Sequence, residues 1–357
     1  MKSQKFMAVA ATTLACMGFF YGYVKHTHAQ TAIIANNAVE PTSQISQNPL
    51  SIIYMQQQSY PGSDLKIEQT LAPAANYTQY IASYLSDNLK IYGLLTIPKG
   101  TKPASGWPVI IFNHGYIRPD IYQTTVKYEL YVQAMASDGY IVFKPDYRGN
   151  GNSQGSPDST YFSPDYTIDT LNALASLKKY PDANPSKIGM WGHSDGGDVV
   201  LRSMVVDGKD IKAAVVWGGV IAPYQELTAN WQALVPYHQS KTDLAIEDNH
   251  MQELLTDHGT PAQNPVFWNS IDPNNFLSIM TTPLQLDVGG SDEEVPTFFS
   301  ANLDTTMTAL GKSVIYYSYL GENHNISFPL LAPTGHFTTP YTPAMQNTLD
   351  FFDKYLK

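Results

Sequence analysis

The chain has 357 residues, 43% of them hydrophobic and 12% aromatic, enough to bury one large core or one core plus an insertion. A net charge of −10 without any Lys/Arg cluster argues against a nucleic-acid partner. Cys16 is the only cysteine and sits near the start, so the remainder of the chain carries neither disulfides nor thiol chemistry.

Residues 1–29 read as an export signal or an uncleaved N-terminal anchor. Lys2 and Lys5 precede an apolar run over 6–24, and Thr27-His28-Ala29 offers a weak small-residue cleavage site. This charge arrangement keeps the N-terminus inside and sends the rest across the membrane. The expected location is secreted or periplasmic, or membrane-anchored facing outside. Residues 30–75, rich in Gln, Asn, Ser and Pro over their first half, are expected to be a linker or N-terminal extension. Residues 76–357 are expected to form one domain.

Within that domain two antiparallel strands are predicted over 80–85 and 89–97, with Ser86-Asp87-Asn88 as the turn. Val109-Ile110-Ile111-Phe112 is apolar throughout, which suits a strand buried on both faces, and it ends in Asn113-His114-Gly115-Tyr116. A helix over 128–137, a strand over 140–143 and a helix over 166–179 follow. The last of these places Ile168, Leu171, Leu174 and Ala175 at helical spacing. After two more strands, ending at His193 and Trp217, the rhythm breaks. Residues 221–280 carry Trp231, Trp268 and several Tyr and Phe, with helices predicted over 225–234 and 244–257. This stretch reads as a cap inserted over the site. The rhythm resumes with a strand over 284–288, a helix over 298–310, a strand over 313–319 and a last helix over 345–357. Strands alternating with helices define a mostly parallel α/β sheet with right-handed crossovers.

Lys187-Ile188-Gly189-Met190-Trp191-Gly192-His193-Ser194-Asp195-Gly196-Gly197 is the centre of the chain. An apolar strand ends abruptly in a glycine-flanked serine, and a helix-compatible segment follows. That is the context of a nucleophile elbow. Gly151-Asn152-Ser153-Gln154-Gly155 matches the same short pattern, but it lies well beyond its strand and runs into Ser156-Pro157, so it reads as a glycine-rich loop. His193 adjoins the nucleophile and is expected to point away from it.

A serine hydroxyl needs a base within reach and an acid to orient that base. In a fold built on this elbow the partners follow in the order acid, then histidine. Asp292, in Gly290-Ser291-Asp292-Glu293-Glu294, is the expected acid. Asp287 lies inside its strand, and Glu293 or Glu294, expected as solvated charges, are substitutes. His324, in Gly321-Glu322-Asn323-His324, is the expected base, with His336 as the alternative. The backbone N–H groups of Asp195 and Tyr116 are the expected oxyanion donors. No metal-ligand spacing and no phosphate loop is found, so no cofactor is expected.

These motifs, together with Asp146-Tyr147-Arg148-Gly149, resemble the α/β-hydrolase superfamily over residues 80–357. Within it they are most similar to the catalytic domain of prolyl-oligopeptidase-type (S9) serine peptidases and to dienelactone-hydrolase-like esterases. The resemblance implies Ser194, Asp292 and His324 as a triad. The family's oligopeptidases carry a β-propeller, for which too few residues precede the catalytic domain here. The expected activity is cleavage of carboxylic esters through an acyl-enzyme. The alternatives are a serine peptidase acting on short peptides and a non-catalytic binding protein on the same fold.

Overall fold

The computed structural model describes residues 47–157, 161–229, 231–237, 241–326 and 342–357. The predicted signal segment over 1–29 and His336 therefore lie outside the described residues. Among those described, no helix is long and apolar enough to cross a membrane.

Nine strands form one sheet: β1 (Lys66–Thr70), β2 (Tyr77–Ser86), β3 (Leu89–Pro98), β4 (Trp107–Asn113), β5 (Ile141–Pro145), β6 (Ala183–His193), β7 (Ala214–Trp217), β8 (Leu284–Gly289) and β9 (Val314–Tyr319). They run in the order β1-β2-β3-β5-β4-β6-β7-β8-β9. The first three pair antiparallel and β3 meets β5 antiparallel; from β5 to β9 every pairing is parallel. The β2–β3 hairpin turns at Asp87 and Asn88, both at positive φ (49° and 65°), a backbone that Asp and Asn tolerate better than most side chains.

Helices cover both faces, as a parallel sheet requires. One face carries α3 (Asp165–Leu177), α4 (Asp195–Asp207) and α8 (Phe298–Ala309), which share a core with Ile111, Met190 and Leu286. The other carries α2 (Glu129–Ser137) and α9 (Pro343–Leu356), packed on Ile110, Trp191 and Val215. Alternate residues of β4 thus feed opposite cores, which is why its sequence is apolar throughout. The loop after β5 is anchored by Arg148, whose guanidinium lies 2.8 Å from the fully buried Asp169 of α3.

The structure adds to expectation in one region and departs from it in another. The extension over 30–75 docks on the domain over its described part. Helix α1 (Ile52–Gln57) buries Ile52 and Met55, and Gln56 Nε2 donates to Val205 O of α4 at 2.8 Å. Strand β1 extends the sheet edge. Six residues are too few for a periodic signal, and this helix is held by packing rather than propensity. Between β7 and β8, the helix expected over 225–234 is a short α5 (Tyr224–Leu227) and a separate 3-10 turn (Trp231–Leu234). Beyond α6 (Lys241–His258) come α7 (Pro265–Ile271) and a 3-10 helix (Pro273–Ile279), neither of them expected. Each begins with a capping Asn264 or Asp272 followed by proline, a start signal legible in the sequence.

Candidate active site

Ser194 stands where β6 turns into α4, at φ 56° and ψ −123°, a backbone that a side chain disfavours. The surroundings hold it there. Its N–H donates to Trp217 O at 3.0 Å, and its carbonyl accepts from the N–H groups of Gly197 (2.8 Å) and Val220 (3.1 Å). The flanking glycines are required by close approach. A Cβ on Gly192 would lie 2.4 Å from Gly196 O, and one on Gly196 would lie 2.1 Å from Asn113 O. The elbow is therefore wedged against the end of β4, and the loop that continues β4 passes directly beside the serine.

The loops after β8 and β9 meet on the other side. Asp292 lies just beyond β8, and its Oδ1 accepts from the N–H groups of Glu294 (2.9 Å) and Val295 (2.8 Å). Its two carboxylate oxygens lie 3.0 and 2.9 Å from His324 Nδ1. Both side chains are almost wholly buried. A carboxylate only accepts, so Nδ1 donates, and Nε2 keeps the lone pair that can take a proton.

Glu293 and Glu294 are not the solvated charges expected. Glu293 Oε2 accepts the backbone N–H of His324 at 3.0 Å, fixing the loop that carries the imidazole. Glu294 is half-buried, with Oε2 4.0 Å from His324 Nε2. Burial raises its pKa, with His324 opposing.

A cleft of about 400 Å³ opens over these loops. Ser194, Asp195, Tyr116 and His324 all line it, so the structure gathers four of the five named site residues at one surface, with Asp292 behind the imidazole. Trp231 and Tyr237, from the insertion between β7 and β8, form part of its wall. Tyr237 N–H donates to Glu293 O at 2.9 Å, which ties that wall to the acid-bearing loop. Asp287 is fully buried within β8 and bonded to Tyr319 and Gln285, as its strand position implies. Ser153 Oγ accepts from Tyr92 N–H at 3.0 Å, so the second glycine–serine motif is a loop packed on β3. Among the described residues, no group of His, Cys, Asp or Glu is gathered to hold a metal ion.

Further buried residues surround this centre. His193 itself lines the cleft, and it is buried and engaged at both ring nitrogens: Nδ1 lies 2.8 Å from Tyr128 Oη and Nε2 lies 3.2 Å from His324 O. Tyr128 precedes α2, and its Oη accepts the N–H of Gly115 at 3.0 Å. His114, one residue earlier, packs between the tilted rings of Tyr122 and Tyr147 (ring centroids at 5.0 and 4.5 Å). Burial, reinforced by Lys144, pushes its pKa down to about 3, so it is neutral.

A serine on a strained strand–helix turn and a histidine fixed by a buried carboxylate, both lining one cleft at the edge of a parallel sheet, define a serine hydrolase of the α/β-hydrolase fold, peptidase or esterase in type. Comparison with known proteins gives the family. The chain belongs to the X-Pro dipeptidyl-peptidase (S15) family, whose model matches residues 87–283, more than half of the sequence. That match contains Ser194 and ends just before β8. The chain is 25% identical over 256 residues to the uncharacterised peptidase YtmA of Bacillus subtilis, covering 71% of this chain and 88% of that one. Among solved structures, the acetyl xylan esterase of Paenibacillus sp. R4 superposes with a TM-score of 0.61 at 16% identity, over 89% of this chain and all of that one. The acylaminoacyl peptidase of Pyrococcus horikoshii gives 0.58 at 20% identity, over 79% of this chain and 42% of that one. Peptidases and esterases thus share this fold, in line with the resemblance read from the motifs.

Proposed function

We propose that the protein hydrolyses carboxylic esters through an acyl-enzyme, with Ser194 as nucleophile, His324 as base and Asp292 as the acid that orients it. His324 Nε2 takes the Ser194 proton as Oγ attacks the carbonyl. The N–H groups of Tyr116 and Asp195 bind the oxyanion, and the N-terminus of α4 favours the same charge. His324 then protonates the leaving alcohol, and water repeats the sequence to release the acid. The observation that carries this reading is the convergence of a strained Ser194 and a carboxylate-held His324 on one cleft.

The ester preference rests on the cleft walls. A peptidase cutting near a free N-terminus must hold an ammonium. The carboxylates among the described lining residues are Asp195 at the elbow and Glu294 beside the imidazole, while Arg118 and Lys127 stand in the loop after β4. Tyr131, Tyr161, Trp231, Val220 and Val295 supply an apolar and aromatic surface for an acyl or aryl group. The acetyl xylan esterase that matches over its full length supports the same choice. The second reading, a serine peptidase on short peptides, is favoured by the S15 match and the likeness to YtmA.

A panel of nitrophenyl esters and aminoacyl-nitroanilides separates the two. The expected result is turnover of the esters with little of the anilides; equal or better turnover of the anilides would reverse the assignment. The charged, apolar start of the sequence supports export, with a mature chain beginning near residue 30. N-terminal sequencing of extracytoplasmic material tests this, and recovery of intact Met1 in membranes would favour an anchor.

A further inference from the structure

We infer that Tyr128 and His193 are positioning residues that lock the oxyanion loop to the loop carrying the base, through one directional chain of hydrogen bonds. This rests on the assignment of Ser194 and His324 above and adds two residues to it.

The direction of the chain follows from its ends. The carbonyl of His324 can only accept, so the proton of the neutral His193 ring sits on Nε2 and points to that oxygen, 3.2 Å away. Nδ1 is then an acceptor, and the Tyr128 hydroxyl 2.8 Å from it must donate. The hydroxyl oxygen keeps its lone pairs, one of which takes the Gly115 N–H at 3.0 Å. Each bond dictates the next. Burial, together with the neighbouring His324, holds the His193 pKa far below its ordinary value, so a second ring proton does not break the sequence.

What the chain connects gives it a role. Gly115 immediately precedes Tyr116, whose N–H is assigned to the oxyanion, and His193 immediately precedes Ser194. The chain ends on the backbone of the base itself. Three loops from three different strands are thereby set against one another around the place where the substrate carbonyl must sit. Tyr128 is held for this task at a cost: it and Lys127 have successive positive φ angles, 61° and 68°. Its ring meets Phe112 edge-on at 5.4 Å, and the His193 and His324 rings pack at 4.5 Å.

The test uses the full chain. Tyr128→Phe keeps the ring and removes the hydroxyl. It should lower kcat by about 10- to 100-fold, the scale of a small misplacement of reacting groups, with KM changed less than about threefold. Tyr128→Phe/His193→Phe should be no worse than the more impaired single variant, because the chain is already broken. Nitrogen NMR of histidine-labelled protein should show His193 as a single Nε2–H tautomer in the wild type and in Tyr128→Phe alike, because the His324 carbonyl fixes it. An Nδ1–H tautomer in the wild type overturns the proposal without any variant. So does wild-type kcat in Tyr128→Phe, or strict additivity of the two substitutions. Failure of the underlying assignment looks different: a fluorophosphonate probe would then label Ser194→Ala as well as the wild type.

Discussion

Gly218 lies directly against His324. A Cβ built on it would stand 3.0 Å from Nδ1 of the imidazole and 3.1 Å from Oδ2 of Asp292, inside the hydrogen bond that orients the base. Its φ of +50° is also one that side chains avoid. The residue just after β7 therefore sets how closely Asp292 and His324 can approach.

Gly218→Ala is expected to fold with a stability loss of about 1–3 kcal/mol from the strained backbone. It should also lower kcat by at least about tenfold, because the new methyl group must push His324 or Asp292 aside. Denaturant unfolding and steady-state kinetics read the two effects separately. Unchanged kcat would show that the contact is slack.

Ser194→Ala and Ser194→Gly should both be inactive and unlabelled by a fluorophosphonate. They should differ in stability. Alanine keeps the Cβ that makes φ 56°, ψ −123° unfavourable, whereas glycine adopts that backbone without strain. Ser194→Gly is expected to be the more stable of the two by about 1 kcal/mol. The reverse order would mean that the elbow is not strained. Probe labelling that moved to Ser153 would identify the wrong serine.

His324→Ala should cost several orders of magnitude in turnover, since Ser194 then stays a neutral hydroxyl. Asp292→Asn should lower kcat on the order of 10⁴-fold while the protein stays folded, because an amide can hold the other imidazole tautomer. His336→Ala should have a much smaller effect. A dead His336 variant beside an active His324 variant would transfer the role of base.

The pH dependence of stability offers a check on the core. Burial raises the pKa of Asp287 from the ordinary 3.8 to about 7 in the fold, against the opposing hydrogen bonds from Tyr319 and Gln285. Between those pH values the folded state keeps a proton that the unfolded chain has released. The contribution of this group is complete below about pH 4 and disappears as the pH approaches 7. Asp287→Asn cannot titrate. The unfolding free energy of the wild type minus that of the variant should therefore fall steadily over this window in paired denaturant titrations. A flat or rising difference would place the carboxylate in a more polar setting than the buried one described.

The alternation of apolar strands with helical segments determined the α/β class, and the glycine-flanked Ser194 determined the elbow. Both are local patterns, written within ten or twenty residues, and β4 to β9 lie within a few residues of where those patterns put them. Asp292 and His324 were legible for a similar reason: each follows the end of a recognisable strand, and a parallel sheet brings all such ends to one edge. Helix α1 and strand β1 were not legible, because their stability comes from contacts with α4 and β2 rather than from their own sequences. The same holds for the inner furnishing of the site. Tyr128 and Gly218 carry no motif, and the motifs that contain His193 and Glu293 do not show what those two hold; their significance lies in hydrogen bonds and close approaches between loops far apart in the chain. Motif order alone pointed to Ser194, Asp292 and His324 as the proposed triad; what holds them in register had to come from the folded chain, since pairings of that kind have no period and no fixed spacing to read.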